Sequence, residues 1–273
     1  MHKLALLQLA TLFVITQILG LAVANTLIKE NIRTTIITEN PEDIENAIGL
    51  FVYILVITAF LLIIITFVKF RGITFLFESL ALFATSVIVF GTLIPEVAGI
   101  LTVLLIGLRF LLRESIVIKN IACLVAVAGA GSLIGVSLGV VPAAIFLVLL
   151  AIYDYIAVFK TKHMVKIAKA ITKENVAFAF SIPTREKVYQ LGTGDLVMPL
   201  VFATAVLNKI KASAGLQIAL LPIAVILFAS LLGLLATLYY CMKKKVAMPA
   251  LPLQTAFMLF AWVVFVLIGM PVL

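Results

Sequence analysis

The sequence predicts an all-α, polytopic membrane protein with nine transmembrane helices. Of its 273 residues, 64% are hydrophobic and only 12% are charged, and the mean hydropathy is +1.30. An average soluble domain has about 25% charged residues, and no soluble fold of this length buries so much apolar surface. Nine spans of about 20 residues use about 180 positions and leave about 90 for loops. The composition therefore excludes a large soluble catalytic domain and a nucleic-acid-binding module.

Apolar runs that end at charged residues, Pro or Gly define the helices in chain order. They cover residues 4–24, 48–68, 73–94, 97–112, 116–138, 140–159, 191–207, 216–241 and 248–267. The first is interpreted as a retained span rather than as a cleaved signal peptide. The fifth carries Gly131 and Gly135 and is followed at once by Gly139, and the four-residue spacing of these glycines predicts close packing against a neighbouring helix. Residues 1–273 are thus predicted to form a single membrane-embedded domain.

Charge predicts which ends of the helices face the cytoplasm. If the N-terminus is cytoplasmic, 16 Lys and Arg residues lie inside and four lie outside, as the positive-inside rule requires. The C-terminus is then outside, residues 25–47 form an acidic outer loop, and residues 160–190 form a basic cytoplasmic loop. In that basic loop Met164, Ile167 and Ile171 recur at helical spacing among lysines. The segment is either an amphipathic helix on the leaflet or a solvated loop.

Three carboxylates fall inside predicted helices, where an ionisable group is costly and indicates function by default. Glu78, near Arg71, is interpreted as a paired structural acid. Asp154 precedes Lys160 by six residues, which places it about 9 Å inside the cytoplasmic end of the sixth helix. Asp195 lies near the start of the seventh helix, which begins on the same side. Because these helices are adjacent and antiparallel, we expect the two aspartates to meet.

Each aspartate also has a simpler explanation on its own. Asp is a favoured N-cap residue, so the sequence that ends at Asp195 fits an ordinary helix start. Asp154 fits an interfacial acid paired with Lys160. Neither explanation accounts for two aspartates at one depth, the second of them following Gly192 and Gly194.

Two neighbouring carboxylates indicate acid–base chemistry. In apolar surroundings they cannot both ionise at low cost, so they share a proton and supply one general base and one general acid. Gly192 and Gly194 would let an extended peptide approach and pair through backbone hydrogen bonds. Pro249 and Pro252 remove two donors from the start of the ninth helix, which predicts irregular backbone level with the aspartates. Proline at a helix start is also ordinary.

Three short motifs carry a family resemblance. The sequences Tyr153-Asp154, Gly192-Thr193-Gly194-Asp195 and Pro249-Ala250-Leu251 resemble the YD, GxGD and PAL motifs of the presenilin/signal-peptide-peptidase family of intramembrane aspartyl proteases. Their order, and their places in the sixth, seventh and ninth of nine spans, match as well. Pro252 completes PALP, so the chain is most similar to a prokaryotic, archaeal presenilin homologue.

The resemblance implies a role for each motif residue. Asp154 and Asp195 would be catalytic. Tyr153, Gly192, Thr193 and Gly194 would support the active site, and Pro249, Ala250 and Leu251 would shape it. Thr193 stands where leucine is more usual, which leaves substrate preference open. The loop between the sixth and seventh helices has no hydrophobic self-cleavage segment, so autoproteolytic maturation is not expected.

The resemblance also implies the substrates and partners. We expect cleavage of single-span transmembrane proteins in a prokaryotic cell membrane, with no cofactor, no metal, no nucleic acid and no obligatory accessory subunit. A homo-oligomer is compatible with it. Zinc and serine proteases of the membrane need histidine, and the only histidines, His2 and His163, lie outside the predicted spans. The alternative is a proton- or cation-coupled transporter whose ion path is lined by Asp154 and Asp195, although no internal repeat is found.

Overall fold

The computed structural model of the chain describes residues 2–67, 71–161, 179–183, 188–244 and 248–272. In these residues it forms nine α-helices, two short strands, one 3-10 turn and one π-helical turn. The helices are α1 (His2–Lys29), α2 (Ile44–Phe67), α3 (Arg71–Leu93), α4 (Ala98–Leu111), α5 (Ile116–Ser137), α6 (Val140–Ile156), α7 (Gly194–Ala214), α8 (Leu216–Lys244) and α9 (Leu251–Leu267). The strands are β1 (Ala179–Pro183) and β2 (Val188–Gly192), and the turns are Pro95–Val97 and Ala157–Thr161. The predicted amphipathic segment around Met164 lies outside the described residues.

Length and composition identify fewer spans than the nine predicted. Six of the described helices, α1, α3, α5, α6, α7 and α8, are long and apolar enough to cross a membrane. The apolar stretches Ile44–Phe60 of α2 and Leu251–Leu267 of α9 are shorter, and α4 has 14 residues. At 1.5 Å per residue, a helix the length of α9 reaches about 26 Å, which falls short of a hydrocarbon core of about 30 Å.

A β-hairpin that the sequence did not predict lies just before α7. Strands β1 and β2 are antiparallel, with Ala179 opposite Gly192. Gly192 was predicted to lie in the seventh helix, but it ends β2, and α7 begins at Gly194. The outer edge of β1 is held by Asn120 of α5, whose side chain donates to the Ser181 carbonyl (2.9 Å) and accepts from the Ser181 N–H (2.8 Å). Asn120 and Ser181 are 61 positions apart, so no local sequence pattern predicts the hairpin.

The other end of α7 also differs from its predicted bounds. The helix continues to Ala214 rather than ending at 207. Its added turns contain Lys209, which pairs with Glu42 of the acidic loop (Nζ to Oε1, 3.4 Å), and Lys211, which donates to the side chain of Asn25 (2.7 Å). Partners at this end of the bundle therefore satisfy charges that break the apolar pattern.

Helix α5 packs closely against α7 at Gly131 and Gly135, two of the three glycines that the sequence singled out. The third, Gly139, is the N-cap of α6 and faces Glu42 instead of α7. A Cβ atom built on Gly135 would lie 2.6 Å from the carbonyl oxygen of Val201, and one built on Gly131 would lie 2.7 Å from the Leu200 side chain. Only a residue without a side chain permits this separation of the two backbones. This contact fixes the position of α7, and with it the position of Asp195.

Candidate active site

Helices α6 and α7 bring the two intramembrane aspartates together. Asp154 lies in the last turn of α6, and Asp195 is the second residue of α7. The two helices pack against each other. Both residues are partly buried, and they lie close enough for the charge of Asp154 to act on Asp195. The two carboxylates therefore lie within electrostatic range of each other at the same end of the α6–α7 pair.

The N-cap explanation of Asp195 does not hold. The N-cap of α7 is Thr193, whose carbonyl accepts from the N–H groups of Leu196 (3.1 Å) and Val197 (3.0 Å) and whose side chain makes no capping hydrogen bond. Asp195 follows two positions later, inside the helix. The alternative pairing of Asp154 with Lys160 concerns a side chain outside the described part of the chain.

The start of α9 contacts Asp154 through the main chain. Residues 248–250 are irregular, and α9 begins at Leu251 rather than at 248. The N–H groups of a first helical turn have no partner within their own helix. The Leu251 N–H instead lies close enough to the Asp154 carboxylate to interact with it. Pro249, Ala250 and Leu251 are all buried, so this segment is held in place beside the aspartate.

A second contact from α9 reaches Asp195, and sequence reasoning missed the residue that makes it. The fully buried Gln254 donates from Nε2 to the main-chain carbonyl of Asp195 (3.2 Å) and to the hydroxyl of Ser230 in α8 (3.3 Å). A glutamine in an apolar helix, three residues after Leu251, was the available signal. The first turn of α9 thus contacts both aspartates.

The remaining motif residues lie at different distances from the aspartates. A Cβ atom built on Gly192 would lie 3.7 Å from the Asp195 carboxylate, whereas one built on Gly194 would meet no atom within 4 Å. Because Gly192, the last residue of β2, has no side chain, the space beside the Asp195 carboxylate is left free at this end of the strand. The Tyr153 ring packs edge-to-face on Phe51 of α2, with centroids 6.3 Å apart.

Glu78 is paired, as expected, but its partner is on another helix. Its carboxylate accepts from Nε of Arg109 in α4 at 2.7 Å, and both side chains are buried. The predicted neighbour, Arg71, has a side chain outside the described set. Glu78 and Thr193 line one cavity of about 160 Å³ between α3, α5 and the start of α7.

Comparisons with known proteins identify a family and two similar folds. The family model for "Signal-peptide peptidase, presenilin aspartyl protease" matches residues 10–270. The chain is similar to two solved structures of a presenilin family intramembrane aspartate protease. The structure in space group C222 has a TM-score of 0.67 and 22% identity over 97% of this chain and 98% of that chain. The structure in space group P2 has a TM-score of 0.69 and 24% identity over 96% and 98%.

At these identities the likeness to solved structures shows the fold alone. The sequence matches none of the curated proteins with which it was compared. The family model, however, covers nearly the whole chain, from the middle of α1 to the residues after α9. The protein therefore belongs to the signal-peptide peptidase and presenilin family of aspartyl proteases.

Proposed function

We propose that this chain is an intramembrane aspartyl protease that hydrolyses peptide bonds in transmembrane-helix substrates, with Asp154 and Asp195 as its catalytic pair. The observation that carries the proposal is that these two carboxylates lie within electrostatic range of each other beside the start of α9, in a chain of this family. The comparisons give no support to a coupled transporter.

The proposed reaction uses one proton shared by the pair. The ionised carboxylate takes a proton from a water molecule, whose oxygen attacks the scissile carbonyl carbon, while the protonated carboxylate donates to the carbonyl oxygen. The tetrahedral intermediate then collapses: the C–N bond breaks and the amine nitrogen receives the proton that was taken from water. One hydroxyl of the intermediate returns its proton to the other carboxylate, so the new carboxyl group leaves and the pair again holds one proton. In this mechanism the Leu251 N–H orients the carboxylate of Asp154.

We further propose that the substrate is bound in extended form against β2. The N–H and C=O groups of a helical substrate are hydrogen-bonded within the helix. When the substrate unwinds, the free N–H and C=O groups of a strand edge can replace those partners. In the described residues β2 has one strand partner, β1. The other edge of β1 is occupied at Ser181, whose N–H donates to the side chain of Asn120. Strand β2 leads directly into Asp195, and Gly192 leaves space beside its carboxylate. A peptide on the second edge of β2 would therefore lie next to the pair.

The proposal is tested with the purified chain alone in liposomes that contain a labelled single-span substrate. We expect products cut within the hydrophobic segment, identified by mass spectrometry, and no requirement for another subunit. The same vesicles, when sealed, report proton or cation flux. Flux without peptide products would favour the transporter and end the protease proposal.

The pH dependence of cleavage follows from the shared proton. We expect a bell-shaped profile of kcat/KM. Activity falls on the acid side because both carboxylates are protonated and no base remains. It falls on the basic side because both are ionised and no acid remains. The measurement is initial cleavage rate in liposomes across pH, with vesicle integrity checked at each point. A profile with a single inflection would contradict a pair that works with one proton.

The proposed orientation has nine spans, a cytoplasmic N-terminus and an external C-terminus. The pairing of Lys209 with Glu42 supports it, because it gives an acidic partner to one of the basic residues that the positive-inside count assigns to the outside. In a variant without Cys123 and Cys241, a cysteine at position 43 should react with a membrane-impermeant reagent only from outside. A cysteine at position 166 should react only from the cytoplasmic side. Labelling of both from one side would contradict the orientation.

A further inference from the structure

We infer that Gln254 is a positioning residue for Asp195, and that it acts by replacing a helical hydrogen bond that Pro199 removes. The inference rests on the proposed function, because it assigns Asp195 to catalysis. Gln254 does not touch the reacting atoms in this account. It holds the main chain of the residue that does, through its hydrogen bond to the Asp195 carbonyl (3.2 Å).

The need for this bond comes from Pro199, which lies inside α7 four residues after Asp195. In an α-helix the carbonyl of each residue accepts from the N–H four positions later. Proline has no N–H, and its ring also crowds the carbonyl four positions before it. The Asp195 carbonyl therefore has no acceptor bond of this kind within α7. Gln254, from another helix, supplies the donor.

The side chain of Gln254 is held in the orientation that this role needs. A main-chain carbonyl can only accept, so the amide must present Nε2 to it. The second proton on Nε2 is directed to the hydroxyl of Ser230 (3.3 Å). Helix α8 approaches closely here: a Cβ atom built on Gly233 would lie 2.9 Å from Cα of Gln254. Gln254 of α9 is thus held between α8 and α7.

The other amide atom lowers what Gln254 contributes to stability. Oε1 of Gln254 is buried and has no hydrogen-bond partner among the described residues. A buried polar atom without a partner destabilises the folded protein. Replacing Gln254 by methionine removes that unfavourable atom together with the donor. The two changes oppose each other in stability, whereas only the loss of the donor affects the position of Asp195.

Gln17 provides a matched control, because it contacts the next carbonyl in the same turn of α7. It is buried in α1, donates from Nε2 to the carbonyl of Leu196 (3.0 Å), and also has an Oε1 atom without a partner in the described structure. The Leu196 carbonyl, however, lies four residues before Leu200, which has an N–H. Gln17→Met therefore removes a similar bond from a carbonyl that keeps a helical donor.

The experiment compares Gln254→Met, Gln17→Met, Pro199→Ala and the double variant Pro199→Ala/Gln254→Met as full-length protein in liposomes. Both kcat and KM are measured with a single-span substrate, and Tm is measured on the same preparations. We expect Gln254→Met to lower kcat about tenfold or more, with KM changed less than about twofold, since small displacements of a catalytic group cost this much. Gln17→Met should lower kcat less than about twofold.

The double variant is the decisive arm, because Pro199→Ala restores an N–H to the Asp195 carbonyl. Its kcat should exceed that of Gln254→Met at least about fivefold, so the two replacements should not be additive. Equal kcat losses in Gln254→Met and Gln17→Met, or a double variant no better than Gln254→Met, would overturn the inference. A loss of kcat that merely follows Tm across all four variants would also overturn it.

Two further arms separate this inference from the proposed function. Gln254→Leu replaces Gln254→Met if the latter does not fold. In an Asp195→Asn background, which should not cleave, the Tm values still report whether Pro199→Ala compensates Gln254→Met. Compensation in Tm without any cleavage by the wild type would reject the protease and retain the hydrogen-bond exchange. Cleavage by the wild type without compensation would reject the exchange alone.

Discussion

Asparagine in place of either Asp154 or Asp195 should lower the cleavage rate about 1,000-fold or more, because a single carboxylate cannot supply both the acid and the base. Asparagine keeps the size and polarity of aspartate, so the protein should fold and insert as the wild type does. The measurement is product formation from a single-span substrate in liposomes, with Tm as the check on folding.

Asp43→Asn is the matched control. Asp43 lies in the acidic segment before α2, is partly exposed, and accepts from the side chain of Asn40 (2.8 Å). The same chemical change there should leave the cleavage rate within about twofold, as for most surface substitutions. Normal proteolysis by either Asp154→Asn or Asp195→Asn would exclude the pair as the catalytic centre.

Breaking the buried ion pair between Glu78 and Arg109 should produce the largest loss of stability. The side chains of Glu78 and Arg109 are 3% and 2% exposed, and Arg109 also donates from Nη1 to the Arg113 carbonyl (2.7 Å). Removing one partner leaves an uncompensated buried charge, so Glu78→Leu should lower the free energy of unfolding by about 3–5 kcal/mol. Arg109→Met should do the same.

Removing both partners should recover most of that loss, since a buried pair replaced by apolar residues is often neutral. The double variant Glu78→Leu/Arg109→Met should also still cleave, because Glu78 is a structural acid in this account. The exposed pair of Lys209 and Glu42 serves as the control, and Lys209→Met should cost less than about 1 kcal/mol. Reversible unfolding in detergent measures all four. A double variant less stable than both single variants would refute the structural assignment.

The apolar pattern was sufficient to locate the helices, but it placed several ends wrongly. The pattern depends only on local composition, so contacts with distant residues do not appear in it. At the end of α7 the pattern stops at 207, yet the helix continues through Lys209 and Lys211, because lysine interrupts an apolar run but favours a helix. Glu42 and Asn25, from distant parts of the chain, contact the two lysines. Nine apolar runs likewise did not establish nine spans, because α4 and α9 are short for a bilayer.

The hairpin before α7 shows a second limit. Strands of five residues are too short for alternation to stand out, and β1 depends on Asn120, which lies in α5. The apolar pattern therefore assigned Gly192 to a helix. The error matters for function, because it hid the strand edge beside Asp195 that we propose as the substrate site.

The candidate site was more accessible to sequence reasoning than these details were. Asp154 and Asp195 stood out because a charged residue in an apolar span is unusual, and antiparallel helices predicted that they meet. Gln254 was missed because its role depends on Pro199, in a different helix. A proline four residues after an aspartate that starts a helix is nevertheless a readable signal, since it leaves that aspartate's carbonyl in need of a donor.

The central claim is that Asp154 and Asp195 act as one unit on the tetrahedral intermediate. It is tested most directly by the affinity of a peptide inhibitor that carries a hydroxyl group at the scissile position, measured for the wild type, Asp154→Asn and Asp195→Asn in the same liposomes. We expect both variants to lose affinity by a similar factor, and wild-type affinity to be greatest in the pH range where cleavage is fastest. Unchanged affinity in either variant would contradict it.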